Sequence, residues 1–529
     1  MASKSNLVNL DAMISREDFS VQSDNELSFD SIQNIAMRDM DMLSGFLRKP
    51  DFQRETNHWS PEQVVSLLNS FVTGDLIPSV ILWRSSYLFV IDGGHRLSVL
   101  RAWKEDDYGD GEISRKYFGE KISEEQLASA RRTRELVKET IGEWDSIEAA
   151  MKNQNISQQD SQKFSTIYVR ALPVQWVKGD SEKAENSFFN INKKGTPLDE
   201  VEEKLLRHRK KPISIAARAI IRAGKGHKYW SSFKEENTQK IESLSSNLSQ
   251  LLFDPNVKSQ IKTLNLPLGG SRGVRLALDI LINLISIAAS KNSEYKKELS
   301  NQNIDEDGSD TVDALKSTLK LVNKITGNDK GSLGLHPAVY FYNSTGRHVN
   351  PMFLGTAYVI SKKIKNNDKN FFKKFITARF YLEEALVERK QIITQLVNRA
   401  GHKNRDTFYA TLFENLIKII IKKISESEDK IEDGKIFLTE EEIISASGSE
   451  GEVYAARSTS KSNINRRNKN TAFIKKALAS SLRCPICRGH LDPEKSISYD
   501  HILRKQDGGN GSAENTQITH PYCNHAIKN

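Results

Sequence analysis

The residues with the clearest chemical potential are concentrated at the C-terminal end of the chain. All three cysteines of the 529 residues, and four of the eleven histidines, lie between Cys484 and Asn529. Cys484 and Cys487 form a C-x-x-C pair, and His520 and Cys523 form an H-x-x-C pair. Zinc prefers four sulfur or imidazole ligands in a tetrahedron. An isolated C-x-x-C pair could be redox-active or without function, but the matching second pair predicts a structural zinc site.

Polar residues suited to hydrolysis lie between these two pairs. Asp500 and His501 end a short strand-like run, and a Gly508-Gly509 turn follows. A metal-dependent phosphodiesterase needs a general base to activate water and a cation on the phosphate oxygens. His501 is the predicted base, while Asp500 and Asn524 offer the oxygen ligands that Mg²⁺ or Mn²⁺ prefers.

The whole tail resembles the HNH endonucleases of the ββα-metal type with a zinc-knuckle frame. Their pattern is C-x-x-C, DH, GG, N, and then a second ligand pair followed by His or Asn. The resemblance implies that Asn515 orients the hairpin, and it gives His501 the role of general base. Asp500 and Asn524 again hold the catalytic cation.

Two positions of the tail depart from the commonest form of that pattern. His520 stands where the third cysteine is usual, a replacement that zinc tolerates. Asn524 stands where a histidine is frequent, so His525 is an alternative ligand of the catalytic cation. A zinc finger that only binds DNA is the alternative interpretation of the tail.

A second candidate site lies far upstream, at Asp92-Gly93-Gly94-His95-Arg96. A strand-like run precedes these residues and a helical pattern follows them. A strand, glycine turn and helix together present backbone N–H groups and a positive dipole end to an anion. Arg96 could contact a phosphate, His95 could act as acid or base, and Asp92 could bind a metal or cap the helix. Alternatively, Asp92 is only a helix cap and Arg96 is a surface side chain.

Several segments around this site occur in a recognisable order. They resemble the ParB/sulfiredoxin-like domain with a DGQQR signature found in restriction proteins of the GmrSD type, whose relatives carry a C-terminal HNH module. The segments are Pro50–Arg54, Ile77-Pro78, Ile91–Arg96 and Asn192–Leu198. Asp92, Gly93 and Arg96 match the signature, whereas Gly94 and His95 depart from it. The resemblance implies nucleotide binding, often with hydrolysis, coupled to sensing of modified or foreign DNA.

Gln53 and Arg54 form a second candidate phosphate clamp in this region. Alternatively, Arg54 only pairs with a nearby acid.

The elements that must position these residues give an α+β multidomain fold. Ser60, Pro61 and Gln63 predict a helix start, and Gly74 predicts its end. Val80–Trp83 and Tyr87–Ile91 are predicted to form a β-hairpin. Further strands are predicted at Ser165–Val169 and Val174–Val177, and a helix start at Thr196, Pro197 and Asp199. The predicted organisation is an N-terminal arm (1–30), the ParB/sulfiredoxin-like sensing domain (31–230), a helical domain (231–435), a basic flexible linker (436–475) and the HNH module (476–529).

The bulk composition is that of an ordinary globular protein. The hydrophobic fraction of 38% and the charged fraction of 27% are typical of a soluble globular protein. The net charge is +9, and Arg457–Arg483 contains eight basic and no acidic residues, which is consistent with a polyanionic partner. The sequence shows no signal peptide and no membrane span, and its three cysteines favour metal binding over disulfides. A cytoplasmic protein is predicted.

These features predict a DNA endonuclease of restriction or anti-phage type. Its expected cofactors are structural Zn²⁺, catalytic Mg²⁺ or Mn²⁺ and a nucleoside triphosphate. Its expected partner is double-stranded DNA, including modified or phage DNA; the sequence predicts no membrane partner and no particular oligomeric state. One alternative is a nucleotide-gated DNA-binding regulator with a degenerate HNH module. Another is a kinase- or sulfiredoxin-like enzyme that uses Asp92–Arg96 on a small substrate.

Overall fold

The computed structural model places most of the chain in well-defined elements. It describes residues 7–17, 19, 32–53, 59–118, 122, 124–152, 158–194, 200–225, 229–255, 257, 260–271, 274–290, 299–401, 404–426, 438–448 and 464–527. The chain divides into two compact units. The N-terminal unit comprises Met1–Arg209 and Lys225–Tyr229, and the C-terminal unit comprises Lys210–Gly224 and Trp230–Asn529.

The N-terminal unit combines a mixed sheet with helices. Its strands are β1 Arg16–Glu17, β2 Asn34–Ala36, β3 Leu47–Pro50, β4 Val80–Arg84, β5 Leu88–Asp92 and β6 Ala171–Val177. Its helices are α1 Met40–Ser44, α2 Pro61–Thr73, α3 Gly94–Lys104, α4 Glu112–Phe118, α5 Glu124–Thr140, α6 Trp144–Lys152, α7 Gln158–Val169, α8 Ser181–Lys194 and α9 Glu200–Arg207. The sheet has the strand order β1-β3-β5-β4-β6-β2.

Both faces of the interior strand β5 are buried. Successive side chains of a strand point to opposite faces, and β5 shows this alternation directly. Leu88 and Val90 belong to one hydrophobic core, while Phe89 and Ile91 belong to another. β5 pairs antiparallel with β4 and parallel with β3, so it is an interior strand. The residues that follow β5 therefore begin at the end of an interior strand that is covered on both faces.

Most of the predicted local elements of this unit are confirmed. Ser60 caps α2 by accepting from the backbone N–H of Gln63, and Gly74 ends α2 with a φ of +97°. The β4–β5 hairpin and the strand at Val174–Val177 are present. The predicted helix start at Thr196, Pro197 and Asp199 lies outside the described residues.

The predicted strand at Ser165–Val169 is wrong, because these residues form the end of α7. The segment is rich in β-branched and aromatic residues, which favour strands locally. Ile167 is buried in the hydrophobic core of the unit, and Phe164 packs against the same core. Burial along one helical face overrides the local strand propensity here.

The C-terminal unit is predominantly helical. Its helices are α10 Pro212–Ile221, α11 Glu235–Phe253, α12 Val274–Ala289, α13 Ser309–Ile325, α14 Pro337–Tyr340, α15 Asn350–Lys365, α16 Lys369–Glu388, α17 Lys390–Arg399, α18 Arg405–Glu426, α19 Glu440–Ser447 and α20 Arg466–Ala479. Strands β7 Ser498–His501 and β8 Thr516–Thr519 follow, and the helical turn Cys523–Ile527 comes last. Helix α19 lies within the segment 436–475 predicted as a flexible linker, and α20 begins within it. No helix among the described residues is long and apolar enough to cross a membrane.

Candidate metal centre and catalytic hairpin

The structure brings the four predicted zinc ligands together. One ligand atom from each of Cys484, Cys487, His520 and Cys523 lies within 4.8 Å of the other three, and all four residues are buried. The Cys487 Sγ lies 3.3 Å from His520 Nδ1, and the three cysteines are free thiols. Three sulfurs and one imidazole nitrogen at this spacing match the donor set of a tetrahedral zinc site.

Hydrogen bonding fixes which nitrogen of His520 faces the cysteines. His520 Nε2 lies 3.0 Å from the backbone carbonyl oxygen of His490, so Nε2 carries the proton and donates it. Nδ1 then directs its lone pair at the sulfur cluster, as a metal-binding histidine requires. Burial lowers the pKa of His520, which favours the neutral ring that binds metals.

A buried ion pair of the helical bundle contacts the residues that directly follow the first cysteine pair. Arg379 and Glu383 of α16 are fully buried and lie 2.7 Å apart. The Glu383 Oε2 accepts from the backbone N–H of His490 at 2.6 Å, and Arg379 packs so closely on Gly489 that a Cβ there would collide with its side chain. Burial alone would raise the pKa of Glu383, but the Arg379 guanidinium and His490 lower it to about 2.

The second ligand pair is also fixed to the bundle. The backbone N–H of Tyr522 donates to the carbonyl of Ser332 at 2.9 Å. The Ser496 hydroxyl, just before β7, donates to the carbonyl of Gly327 at 2.6 Å. The ligand frame is therefore part of the C-terminal unit and not a free appendage.

The predicted catalytic residues lie on a two-stranded antiparallel sheet. β7 pairs with β8 so that Asp500 faces Gln517 and His501 faces Thr516. Gln517 Nε2 donates to Asp500 Oδ2 at 2.9 Å, which fixes that carboxylate on the sheet. Residue type and spacing did not single out Gln517; the cross-strand register was the signal that would have revealed it.

The structure places Asn524, which lies in the final helical turn, against β7. Its side-chain Nδ2 donates to Ser498 Oγ at 2.9 Å and to the carbonyl of Tyr499 at 3.1 Å. Asn524 is 7% exposed, whereas the neighbouring His525 is exposed. The amide is therefore packed against the strand that carries Asp500 and His501.

Asn515 holds the loop that joins the two strands. Its Oδ1 accepts from the backbone N–H of Leu503 at 2.7 Å, and its Nδ2 donates to the carbonyls of Leu503 at 3.1 Å and Asn510 at 2.7 Å. Gly508 adopts a φ of +92°, and a Cβ on Gly509 would collide with the Leu503 carbonyl. The Gly-Gly turn and the central asparagine thus form one tightly closed loop.

The upstream site has the predicted strand–turn–helix geometry. Gly93, with a φ of +90°, separates β5 from α3. Arg96 Nη2 donates to Asp92 Oδ2 at 2.7 Å and to the carbonyl of Ser79 at 3.0 Å. The His95 ring stacks on Trp59 with the ring centroids 5.6 Å apart. The arginine is thus oriented by its own chain beside the glycine turn.

Gln53 lies beside this turn. Its Nε2 donates to the carbonyl of Val90 at 3.1 Å, and its Oε1 is buried without a hydrogen-bond partner among the described residues. A Cβ on Gly94 would lie 3.2 Å from that oxygen, so the glycine allows close packing of Gln53. Arg54, the other half of the predicted phosphate clamp, lies outside the described residues.

The chain is similar to a restriction-endonuclease domain in its N-terminal part. Its N-terminal unit is a mixed α/β sheet domain, and its C-terminal unit carries a Cys₃His cluster that could hold a metal ion. Residues 32–209 match the family described as GmrSD restriction endonuclease, N-terminal domain, which confirms the resemblance for that part of the chain. The comparisons with curated proteins and with solved structures gave no match.

Proposed function

We propose that the chain is a DNA endonuclease of restriction or anti-phage type in which residues Cys484–Asn529 form an HNH-like module. The family match supports the class and a DNA substrate. The hydrolytic chemistry is inferred from the C-terminal hairpin. In this proposal the N-terminal unit regulates cleavage by sensing DNA or a nucleotide.

One observation supports the hydrolytic assignment above the others. Asn524 reaches across from the last helical turn and hydrogen-bonds β7 at Ser498 and Tyr499. The two strands and the terminal turn are thereby joined next to Asp500 and His501. A DNA-binding zinc finger needs no acidic residue, histidine and buried amide at one strand end, whereas phosphodiester hydrolysis needs a base and oxygen ligands.

The proposed roles follow from the chemistry of each side chain. His501 takes the proton from the attacking water, and Asp500, held by Gln517, supplies a carboxylate oxygen. Asn524 donates through Nδ2 to β7, so its Oδ1 is the amide atom with ligand chemistry. When bound, Mg²⁺ or Mn²⁺ supplies positive charge to the phosphate and leaving-group oxygens.

Zinc is proposed as a structural ion only. Cys484, Cys487, His520 and Cys523 use all four positions of a tetrahedron, so a zinc ion held there has no open position for substrate. The ion would join the turn before β7 to the turn after β8, and so hold the hairpin against the bundle.

Plasmid cleavage with Mg²⁺ or Mn²⁺ tests the catalytic assignment. We expect His501→Ala to abolish cleavage while its thermal unfolding temperature stays that of the wild type. The matched control is His525→Ala, which removes the alternative ligand and should retain activity. Metal-dependent nicking by His501→Ala would refute the general-base role. Absence of cleavage by the wild type, with and without each nucleotide, would favour the DNA-binding regulator.

A nucleotide site at Asp92–Arg96 is the proposed sensing element. The glycine turn and the oriented guanidinium of Arg96 support it, together with the buried Gln53 oxygen beside Gly94. We expect Arg96→Ala to abolish nucleotide binding measured by calorimetry. Arg115→Ala, an exposed arginine that donates to the carbonyl of Asp110, is the control that should bind normally. Unchanged affinity in Arg96→Ala would rule out this phosphate contact.

A further inference from the structure

A large basic cavity opens on the C-terminal unit next to the proposed cleavage module. Its volume is about 890 Å³, and α13, the end of α15, the start of α16 and the final helical turn contribute to its wall. Six lysines line it, against a single acidic residue, Asp329. The cavity is called the lysine cavity below. Its lysines are Lys316, Lys320, Lys324, Lys363, Lys369 and Lys373.

Most of these lysines have no ion-pair partner among the described residues. Lys363 lies 2.9 Å from Glu414 and 3.4 Å from Asp368. The other five lysines form no ion pair with any residue in the described part of the chain. Concentrating like charges in a concave surface is unfavourable unless an anion binds there.

Lys324 is partly buried against two aromatic rings. Its Nζ is 4.2 Å from the ring centroid of Phe372 and 4.1 Å from that of Tyr522. Burial removes water from the ammonium group of Lys324 and thereby lowers its pKa to about 8. An anion beside it would restore the favourable environment that water no longer supplies.

The cavity wall continues directly into the proposed cleavage module. Tyr522 and Ala526 both line the cavity, and Asn524 lies between them in the same terminal turn. Tyr522 is in turn fixed to the bundle through its backbone bond to Ser332. A polyanion held in the cavity would therefore lie beside the turn that carries a proposed ligand of the catalytic cation.

We propose that the lysine cavity binds the phosphodiester backbone of the DNA strand that enters the cleavage site. This inference rests on the proposed function. The lysines come from three separate segments, and lysine is a point charge that contacts phosphate without demanding one geometry. Lys324 already lies over the rings of Phe372 and Tyr522, so the aromatic residues serve the cation and not a stacked base. These features favour a phosphate chain over a free nucleotide.

The salt dependence of DNA binding tests this proposal. The test variant replaces Lys316, Lys320 and Lys373 by Gln, all of which are exposed. The control replaces Lys240, Lys418 and Lys422 by Gln, so it removes the same charge elsewhere on the C-terminal unit. Binding to a duplex is measured without Mg²⁺ or Mn²⁺, so that no cleavage is required. We expect the slope of log K against log salt to fall by about 2 to 3 in the test variant, at about 0.9 per phosphate contact, and much less in the control.

The outcomes separate this proposal from the proposed function. An equal slope change in test variant and control would overturn it, even if the wild type cleaves DNA. A selective loss of slope in a protein that never cleaves would uphold the binding of the DNA backbone in the lysine cavity and remove the endonuclease assignment. A third arm measures ATP binding by calorimetry. Loss of ATP binding in the test variant with unchanged DNA binding would identify a free-nucleotide pocket and overturn it as well.

Discussion

Arg379 and Glu383, one turn apart on α16, form an ion pair with both side chains fully buried. The guanidinium donates to the carbonyls of Leu333 and Gly334, and Glu383 accepts from the backbone of His490 and from the hydroxyl of Tyr340. One pair thus connects the helical bundle to the turn that carries the first two cysteines. The metal centre takes its position from residues about 100 positions earlier in the chain.

Removing the charge of Glu383 should destabilise the C-terminal unit strongly. Glu383→Gln leaves the Arg379 guanidinium buried without a counter-charge, which costs about 3–5 kcal/mol. The measurement is the free energy of unfolding in urea. The control is Glu384→Gln, because Glu384 pairs with Arg483 near the surface and such pairs contribute about 0–1 kcal/mol. Equal losses in the two variants would show that the buried pair has no special role.

Lys390 should make stability depend on pH in the alkaline range. It is buried and donates to the carbonyls of Ala338 and Val339, and burial lowers its pKa from 10.5 to about 7. At pH values between about 7 and 10.5, Lys390 carries a proton in the unfolded chain but not in the folded chain. Stability therefore rises with pH across this window, by up to about 1.4 kcal/mol per pH unit.

Lys390→Met should abolish this rise. The measurement is the free energy of unfolding at several pH values between 7 and 10.5 for wild type and variant. Lys418→Met, at an exposed position of α18, is the control that should keep the wild-type slope. A rise of the same size in Lys390→Met would mean that another group causes it.

Local patterns in the sequence predicted the elements but not the contacts between distant ones. The capping residues of α2, the β4–β5 hairpin and the glycine turn after β5 are encoded within short windows, and each is present. The two ligand pairs were likewise visible from spacing alone. The buried Arg379–Glu383 pair was not, because its partners in the tail lie far away in sequence and two charged residues on a helix usually indicate an exposed face.

Two other features could not be predicted from the sequence, because they also depend on contacts between distant segments. The Ser165–Val169 segment has strand propensity, but it is helical because its apolar face packs against the hydrophobic core. The lysine cavity is assembled from α13, α15 and α16, and each lysine taken singly is typical of a solvated helix face. No single segment contained enough of the cavity to predict it.

Metal removal should disorganise the frame of the hairpin. Without zinc, the three cysteine Sγ atoms and His520 Nδ1 lie buried close together with no ion to bind them, so stability should fall. Elemental analysis should find about one zinc per chain. Cys487→Ser should lose that zinc and lower the unfolding temperature, whereas His525→Ala should keep both. A zinc-replete Cys487→Ser protein would contradict the ligand set.

Asn515 should matter for cleavage more than for folding. Asn515→Asp keeps the oxygen that accepts from Leu503 but replaces Nδ2 by an oxygen facing the carbonyls of Leu503 and Asn510. Repulsion between the new carboxylate oxygen and these carbonyls should open the loop that follows β7, and so displace His501. We expect the cleavage rate to fall by about 100-fold or more, as small misplacements of catalytic groups do, with a small change in unfolding temperature. The control is Asn510→Asp, because the side-chain oxygen of Asn510 accepts from the backbone N–H of Ser512 and is kept in the variant. If both variants cleave at the wild-type rate, the loop geometry does not position the base.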